Sequence, residues 1–231
     1  MSLYENIELI RERINKAALK VNRDPKDIKL LAVTKTRSIE TIEEALSNNI
    51  EFIGENKVQE AEDKIPSLIG KFKEFHFIGH LQSNKINKLM KLRPALIHSI
   101  DKYSTANKLN NYLKQHSIIQ DVLIEVNTSG EENKFGITPD ETLPLIRSIS
   151  QLENIKIKGL MTISMFTHDE KIIRKSFIKL RKLFNEIKTS EIPNVEMKFL
   201  SMGMTNDFEI AIEEGANIIR IGTAIFGTRN Y

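Results

Sequence analysis

The stretch Leu30-Leu31-Ala32-Val33-Thr34-Lys35 decides how this chain reads. A short, unbroken apolar run closed by a charge, with Thr36-Arg37-Ser38 directly after it, has the pattern of a parallel strand covered on both faces. Lys35 stands at the carboxyl end, and in a parallel α/β barrel that is where the chemistry gathers. An amine pointing into such a mouth is in the place of a Schiff-base lysine, acting through a lowered pKa or a bound aldehyde.

Outward from this strand the alternation repeats. Segments 28–34, 51–55, 74–79, 96–100, 121–127, 155–163, 196–202 and 217–222 read as strands, with apolar runs such as Val122-Leu123-Ile124 and Ile218-Ile219. About eight strands alternating with amphipathic helices predict a (β/α)8 barrel, a single domain over 1–231. An open doubly wound sheet competes with it, because periodicity reports alternation and not closure. The first strand is not followed by Gly-x-Gly-x-x-Gly, which counts against a dinucleotide-binding version.

Leu3, Ile7, Ile10, Ile14, Ala17 or Ala18 and Val21 recur at helical steps, with Glu5, Glu8, Arg11 and Glu12 opposite, predicting an extra N-terminal helix. Ser38 is placed to cap a helix through Asn48, and Thr138-Pro139-Asp140 starts one that runs to Gln151. The longest helix covers 169–188, with Ile172, Ile173, Phe177, Leu180, Phe184 and Ile187 as its buried stripe. Asn206 to Glu214 is a short helix stopped by Gly215, and the unpatterned region from Thr128 to Thr138 is expected to be a mobile loop.

Composition excludes several classes of function. The 231 residues carry 34 Lys and Arg against 31 Asp and Glu, a net charge of +3 that is dispersed, so no nucleic-acid partner is expected. The absence of cysteine removes a disulfide framework and any thiolate ligand or nucleophile. No apolar run approaches the roughly 18 residues that span a bilayer, and the acidic first helix is unlike a signal or transit peptide. A soluble, cytoplasmic protein without membrane contact is expected.

Two loops near the C-terminus supply the second strong feature: Leu200-Ser201-Met202-Gly203-Met204-Thr205 and Arg220-Ile221-Gly222-Thr223-Ala224-Ile225-Phe226-Gly227. Loops after the seventh and eighth barrel strands often build a phosphate site. Gly203 and Gly222 permit close backbone approach, Ser201 and Thr223 add hydroxyls, and Arg220 adds a fixed planar charge. The competing reading makes the glycines turn residues and the hydroxyls helix caps. A lysine and a phosphate cradle on one rim suit a Schiff base with either a phosphorylated sugar or pyridoxal 5′-phosphate.

Other positions carry less. Asn56, after Gly54-Glu55, can reach an oxygen in the mouth or serve a turn; Glu125, Asn127 and Thr128 end the fifth strand, and Met161 belongs to wall or core. His76 and His80 would lie about 13 Å apart on a strand, too far to share a metal, so no metal site is expected. Ser83-Asn84-Lys85 is expected to cap the following helix.

Taken in order, Leu31-Ala32-Val33-Thr34-Lys35, Phe52-Ile53-Gly54-Glu55-Asn56, the run from His76 to Lys85, Gly159-Leu160-Met161, Leu200-Ser201-Met202-Gly203-Met204 and the run from Arg220 to Gly227 resemble the pyridoxal-phosphate homeostasis proteins, also called proline synthetase co-transcribed homologues. The resemblance implies a barrel similar to the N-terminal domain of alanine racemase, with pyridoxal phosphate on Lys35 as an internal aldimine. It further implies Ser201, Gly222 and Thr223 at the phosphate, Asn56 beside the cofactor, and Arg220 at the pyridine nitrogen or, alternatively, at the phosphate. The chain departs from the family pattern at Thr34 and Thr205, where serine is common, and at Arg37-Ser38, where Lys-Pro is frequent.

Activity turns on the count of bases. Racemisation needs two, on opposite faces of the carbanion, and the racemase family draws the second, a tyrosine, from a further domain of a partner subunit. Tyr4, Tyr103, Tyr112 and Tyr231 are this chain's tyrosines, none at a predicted strand end. An arginine at the ring nitrogen would also weaken the ring as an electron sink. The expectation is a cofactor-holding protein of vitamin B6 and amino-acid homeostasis, a monomer serving apo-enzymes that need pyridoxal phosphate, with no catalytic residue assigned. A low-activity racemase is the alternative, and a sugar-phosphate aldolase the third reading.

Overall fold

The computed structural model describes residues 2–131 and 133–228. Strands β1 (Lys29–Val33), β2 (Phe52–Glu55), β3 (Glu74–Phe77), β4 (Leu96–Ile100), β5 (Gln120–Glu125), β6 (Ile155–Met161), β7 (Val195–Ser201) and β8 (Ile218–Ile221) pair in sequence order, and β8 returns to β1. The sheet is therefore a closed parallel barrel, and the open-sheet alternative falls. The closing register sets Lys29 against Ile218, Leu31 against Arg220 and Ala32 against Ile221.

Helices α1 (Leu3–Lys20), α2 (Ile39–Ser47), α3 (Val58–Leu68), α4 (Ile86–Lys91), α5 (Tyr103–Gln115), α6 (Pro139–Ile149), α7 (Glu170–Thr189), α8 (Phe208–Glu213) and α9 (Thr223–Phe226) surround it. The last helix, α9, has four residues, too few to cover the seam where the barrel closes. The N-terminal helix does that instead. α1 begins with a capping box between Ser2 and Glu5, buries Ile7, Ile10 and Ile14, and packs on α8 and α9. Asn6 donates to the Ile225 carbonyl at 3.0 Å, and Arg13 grips Glu209 through two bonds of 2.8 Å.

The apolar interior has two parts. Most of it lies between sheet and helices, while Leu31, Phe52, Leu96, Leu123, Met161 and Ile218 fill the inside of the barrel. Met161 is core. Parallel strands buried on both faces explain why their sequences read as continuous apolar runs.

Three local expectations are corrected. Ile172 is 41% exposed, because Ile173, Phe177, Leu180, Phe184 and Ile187 already form the stripe and 172 falls one step outside it. Ser83–Lys85 forms a 3-10 turn and not a cap; α4 starts without a side-chain cap bond, and Ser83 Oγ accepts from Lys108 at 3.2 Å. α6 stops at Ile149, short of Gln151. Ser38 does cap α2, accepting from the Thr41 amide. The Thr128–Thr138 segment, apart from Glu132, which lies outside the described residues, is anchored at its base. There Ile137 donates to the Glu125 carbonyl and accepts from the Asn127 amide, each at 2.9 Å.

Gly159 is required by closure. Its φ is +148°, and a Cβ there would stand 1.9 Å from the Phe199 carbonyl oxygen, where the register of β6 shifts. Gly159→Ala is expected to destabilise the fold by about 3–5 kcal/mol, read by urea unfolding followed by circular dichroism. An unchanged midpoint would contradict this account.

Candidate cofactor-binding site

At the carboxyl ends of the strands lies a cavity of about 370 Å³ whose wall includes Lys35, Arg220, Gly222 and Thr223. The pairing of β8 with β1 makes this convergence, since it sets the two chain ends side by side. Thr223 is the first residue of α9 and Ser201 the last of β7, so neither is the helix cap of the competing reading.

The turn that carries Lys35 is held from below and beside. Thr34 donates its hydroxyl to the buried Glu55 carboxylate at 2.7 Å, and Lys64 on α3 bonds the Thr34 carbonyl, Glu55 and Glu60 at 3.0, 3.0 and 3.1 Å. Glu60 in turn accepts from the Thr36 amide at 2.7 Å, and Thr36 sits at φ +62°. That left-handed residue reverses the chain immediately after Lys35. Burial raises the Glu55 pKa, with the Thr34 hydroxyl and Lys64 acting against it.

Arg220 forms the floor. It is 4% exposed, donating from Nη1 to Ser201 Oγ at 2.6 Å and from Nη2 to the Thr162 carbonyl at 2.8 Å. Burial lowers its pKa to about 10, while the nearby Asp207 and Glu125 oppose the fall. Ser201 is fully buried beneath it and is not part of the cavity wall. Its hydroxyl faces His98 Nδ1 at 2.9 Å as well as Arg220.

Asn56 also lies off the wall of this cavity, at the end of β2. Its Oδ1 is buried without a hydrogen-bond partner, and its carbonyl presses so closely on Gly79 that a Cβ there would stand 1.9 Å away. His76 does not approach His80. It turns into the barrel to bond His98 at 2.9 Å, while His80 stacks on Phe135 with centroids 4.1 Å apart and faces Asp101 at 3.8 Å. Among the described residues no cluster of three or more His, Cys, Asp or Glu is arranged to hold a metal ion.

Several wall residues were assigned no role from the sequence. Thr205 lines the cavity and accepts from the Ala224 amide at 3.3 Å, tying the loop after β7 to α9. Arg37 lines it too, reaching across to donate to the Gly227 carbonyl at 2.5 Å. Lys134 enters from the loop after β5 and donates to the Ser164 carbonyl at 2.9 Å. Asp207 joins the remaining loops, accepting from Ser164 and from the Met204 amide at 2.5 and 2.6 Å.

The family model of the alanine racemase N-terminal domain matches residues 3–230. A pyridoxal phosphate homeostasis protein from Aquifex aeolicus (strain VF5) is 42% identical over 231 residues, covering all of both chains. The chain belongs to the pyridoxal phosphate homeostasis protein family. Among solved structures, a protein from Bifidobacterium adolescentis is similar with a TM-score of 0.93 and 38% identity, over 97% of this chain and 94% of that one. PipY of Synechococcus elongatus PCC7942, a structure with PLP bound, matches with a TM-score of 0.84 and 28% identity, over 98% of this chain and 100% of its own.

One buried acid in this member of the family gives a pH signature. Glu125 is 5% exposed, and burial beside Asp101 lifts its pKa from the ordinary 4.5 to about 7, with Arg220 opposing. The folded protein therefore keeps a proton that the unfolded chain releases, so stability falls as pH rises from about 4.5 to 7. Glu125→Gln is expected to raise Tm by about 3 °C or more at pH 8 and to change little at pH 4. An equal effect at both values would refute the assignment.

Proposed function

We propose that this protein holds pyridoxal 5′-phosphate in the cavity between the ends of β1 and β8, with the Lys35 amine as the covalent attachment point. It serves vitamin B6 homeostasis more than amino-acid turnover. The observation that carries this reading is the meeting of Lys35, a buried Arg220, and the Gly222-Thr223 and Thr205 loops on one wall. The residues fit the cofactor in kind: a lysine for an aldehyde, hydroxyl and backbone donors for a phosphate, and a guanidinium for the ring nitrogen, while Asn56 stands behind the wall. Family membership and the PLP-bound PipY neighbour support the same ligand.

Bound pyridoxal phosphate supplies an electrophilic aldehyde and an electron-withdrawing ring. The chain's own groups divide the work of holding it. Thr205 and Thr223, on the rim, suit the phosphate together with the backbone at Gly222; Arg220, in the floor, suits the ring nitrogen. Ser201 acts through Arg220 and not by its own hydroxyl on the phosphate. A permanent cation at the ring nitrogen disfavours its protonation and makes the ring a poor electron sink. Among the described residues Tyr4, Tyr103 and Tyr112 do not line the cavity, and Tyr231 lies outside the described residues. Both points favour holding over racemising.

We further propose that the protein is a cytoplasmic monomer that supplies apo-enzymes, in keeping with the absence, among the described residues, of any helix long and apolar enough to cross a membrane. The test is borohydride reduction after incubation with pyridoxal phosphate, followed by peptide mass mapping. A pyridoxyl adduct on the Lys35 peptide is expected, with none in Lys35→Ala. An adduct elsewhere, or none in the unaltered protein, would overturn the reading. Solvent deuterium entering the Cα of added amino acids no faster than with free cofactor is the expected result against a racemase.

A further inference from the structure

A chain of polar side chains crosses the inside of the barrel from its amino-terminal face to the floor of the cavity. Lys29 on β1 donates to Glu74 on β3 at 2.8 and 2.9 Å, and Glu74 Oε2 meets His76 Nε2 at 2.8 Å. His76 Nδ1 meets His98 Nε2 at 2.9 Å, His98 Nδ1 meets Ser201 Oγ at 2.9 Å, and Ser201 Oγ accepts from Arg220 at 2.6 Å. His76, His98 and Ser201 are each at most 1% exposed. At the other end Lys29 and Glu74, which line a second cavity on the amino-terminal face, are within reach of solvent.

With both histidine rings neutral, hydrogen-bond chemistry allows the chain one direction. An ionised Glu74 only accepts, so His76 must carry its proton on Nε2, leaving Nδ1 as an acceptor. His98 must then donate from Nε2, which leaves its Nδ1 to accept the Ser201 proton. Ser201, having given its proton to His98, turns a lone pair to Arg220, which can only donate. From Arg220 to Glu74 every proton points away from the cavity, and Glu74 is the acceptor on which this direction and the Lys29 bonds meet. The environment agrees with neutral rings: burial lowers the pKa of both histidines, and Lys29 and Arg220 disfavour charge on His98 further. Glu74 is held at about 2, chiefly by the His76 bond and then by Lys29.

We infer that Glu74, His76, His98 and Ser201 form a one-way hydrogen-bond relay through the barrel that fixes the Arg220 guanidinium under the cavity, making them positioning residues for the ring bound above it. The inference rests on the cofactor reading for the identity of that ring, but the relay itself is a property of the chain. It assigns a task to two histidines that touch neither the cavity wall nor solvent. It also makes the amino-terminal face a place from which Arg220 can be disturbed.

The experiment has two arms. In the first, the full-length protein labelled with 15N-histidine and free of cofactor is studied by long-range nitrogen–proton NMR at neutral pH. His76 and His98 are both expected as neutral Nε2–H tautomers, and an Nδ1–H form or a doubly protonated ring at either position overturns the relay. In the second, pyridoxal phosphate is added and the visible absorbance band is recorded for Glu74→Leu, which lacks an acceptor, and Glu74→Gln, which keeps one. The leucine variant is expected to shift the band and the glutamine variant to restore the parent spectrum; the same band in all three proteins overturns the positioning role. Should Glu74→Leu not fold, Ser201→Ala against Ser201→Thr makes the same comparison from the other end. Failure of the unaltered protein to label at Lys35 counts against the cofactor reading alone, and the tautomer arm then decides the relay.

Discussion

A parallel sheet that closes on itself must bring its first and last strands together, and here that pairing creates the site. β1 and β8 lie at opposite ends of the chain, yet their register sets Leu31 beside Arg220 and Ala32 beside Ile221. Continuing each strand by a few residues delivers Lys35 from one side and Gly222-Thr223 from the other. The seam would be weak if left bare, because α9 is short. α1 covers it with an apolar face and with Asn6 and Arg13 bonds to the elements flanking β8 and β7. Stability of the first helix and integrity of the mouth are thereby linked.

Closure also creates an interior that cannot be wholly apolar if it is to hold a cationic floor. Burying a guanidinium costs several kcal/mol unless its donors are met, and Arg220 is met by Ser201 and the Thr162 carbonyl, with Asp207 and Glu125 near enough to favour its charge. The same logic holds around Lys35. Glu55 is buried, and Thr34 and Lys64, whose ammonium at the same time fixes the Thr34 carbonyl, offset part of the cost at Oε1 while Oε2 has no hydrogen-bond partner. Removing a directly hydrogen-bonded member of such a set strands its partner, at about 3–5 kcal/mol. Rigidity of the site follows from this mutual dependence.

Much of the architecture was legible in sequence because parallel strands covered on both faces leave continuous apolar runs and helices leave a stripe at a fixed step. The ends of α2 and α7 were close for the same reason, since Ser38 and Asp169 cap them through their own following amides. Misreadings came where neighbours decide. Ile172 is as apolar as Ile173 and adjoins it, but it stands one residue off the 173-177-180-184-187 step that meets the barrel. Ser83 has a cap-former's chemistry, yet the chain enters α4 through a 3-10 turn and the hydroxyl goes to Lys108.

Sequence read alone established the alternation of elements, the barrel as the leading arrangement, and strand-end residues that meet at the cavity: a lysine after an apolar strand and glycine-bearing loops are local patterns with local physical causes. Tertiary structure alone decided that Ser201 lies beneath Arg220 and off the cavity wall, that Thr205 and Arg37 complete the rim, and that His76 finds His98 instead of His80. A strand's side-chain period says which residues share a face. Which groups on different strands come within about 3 Å depends on barrel stagger and register, and these exist only once the sheet has closed.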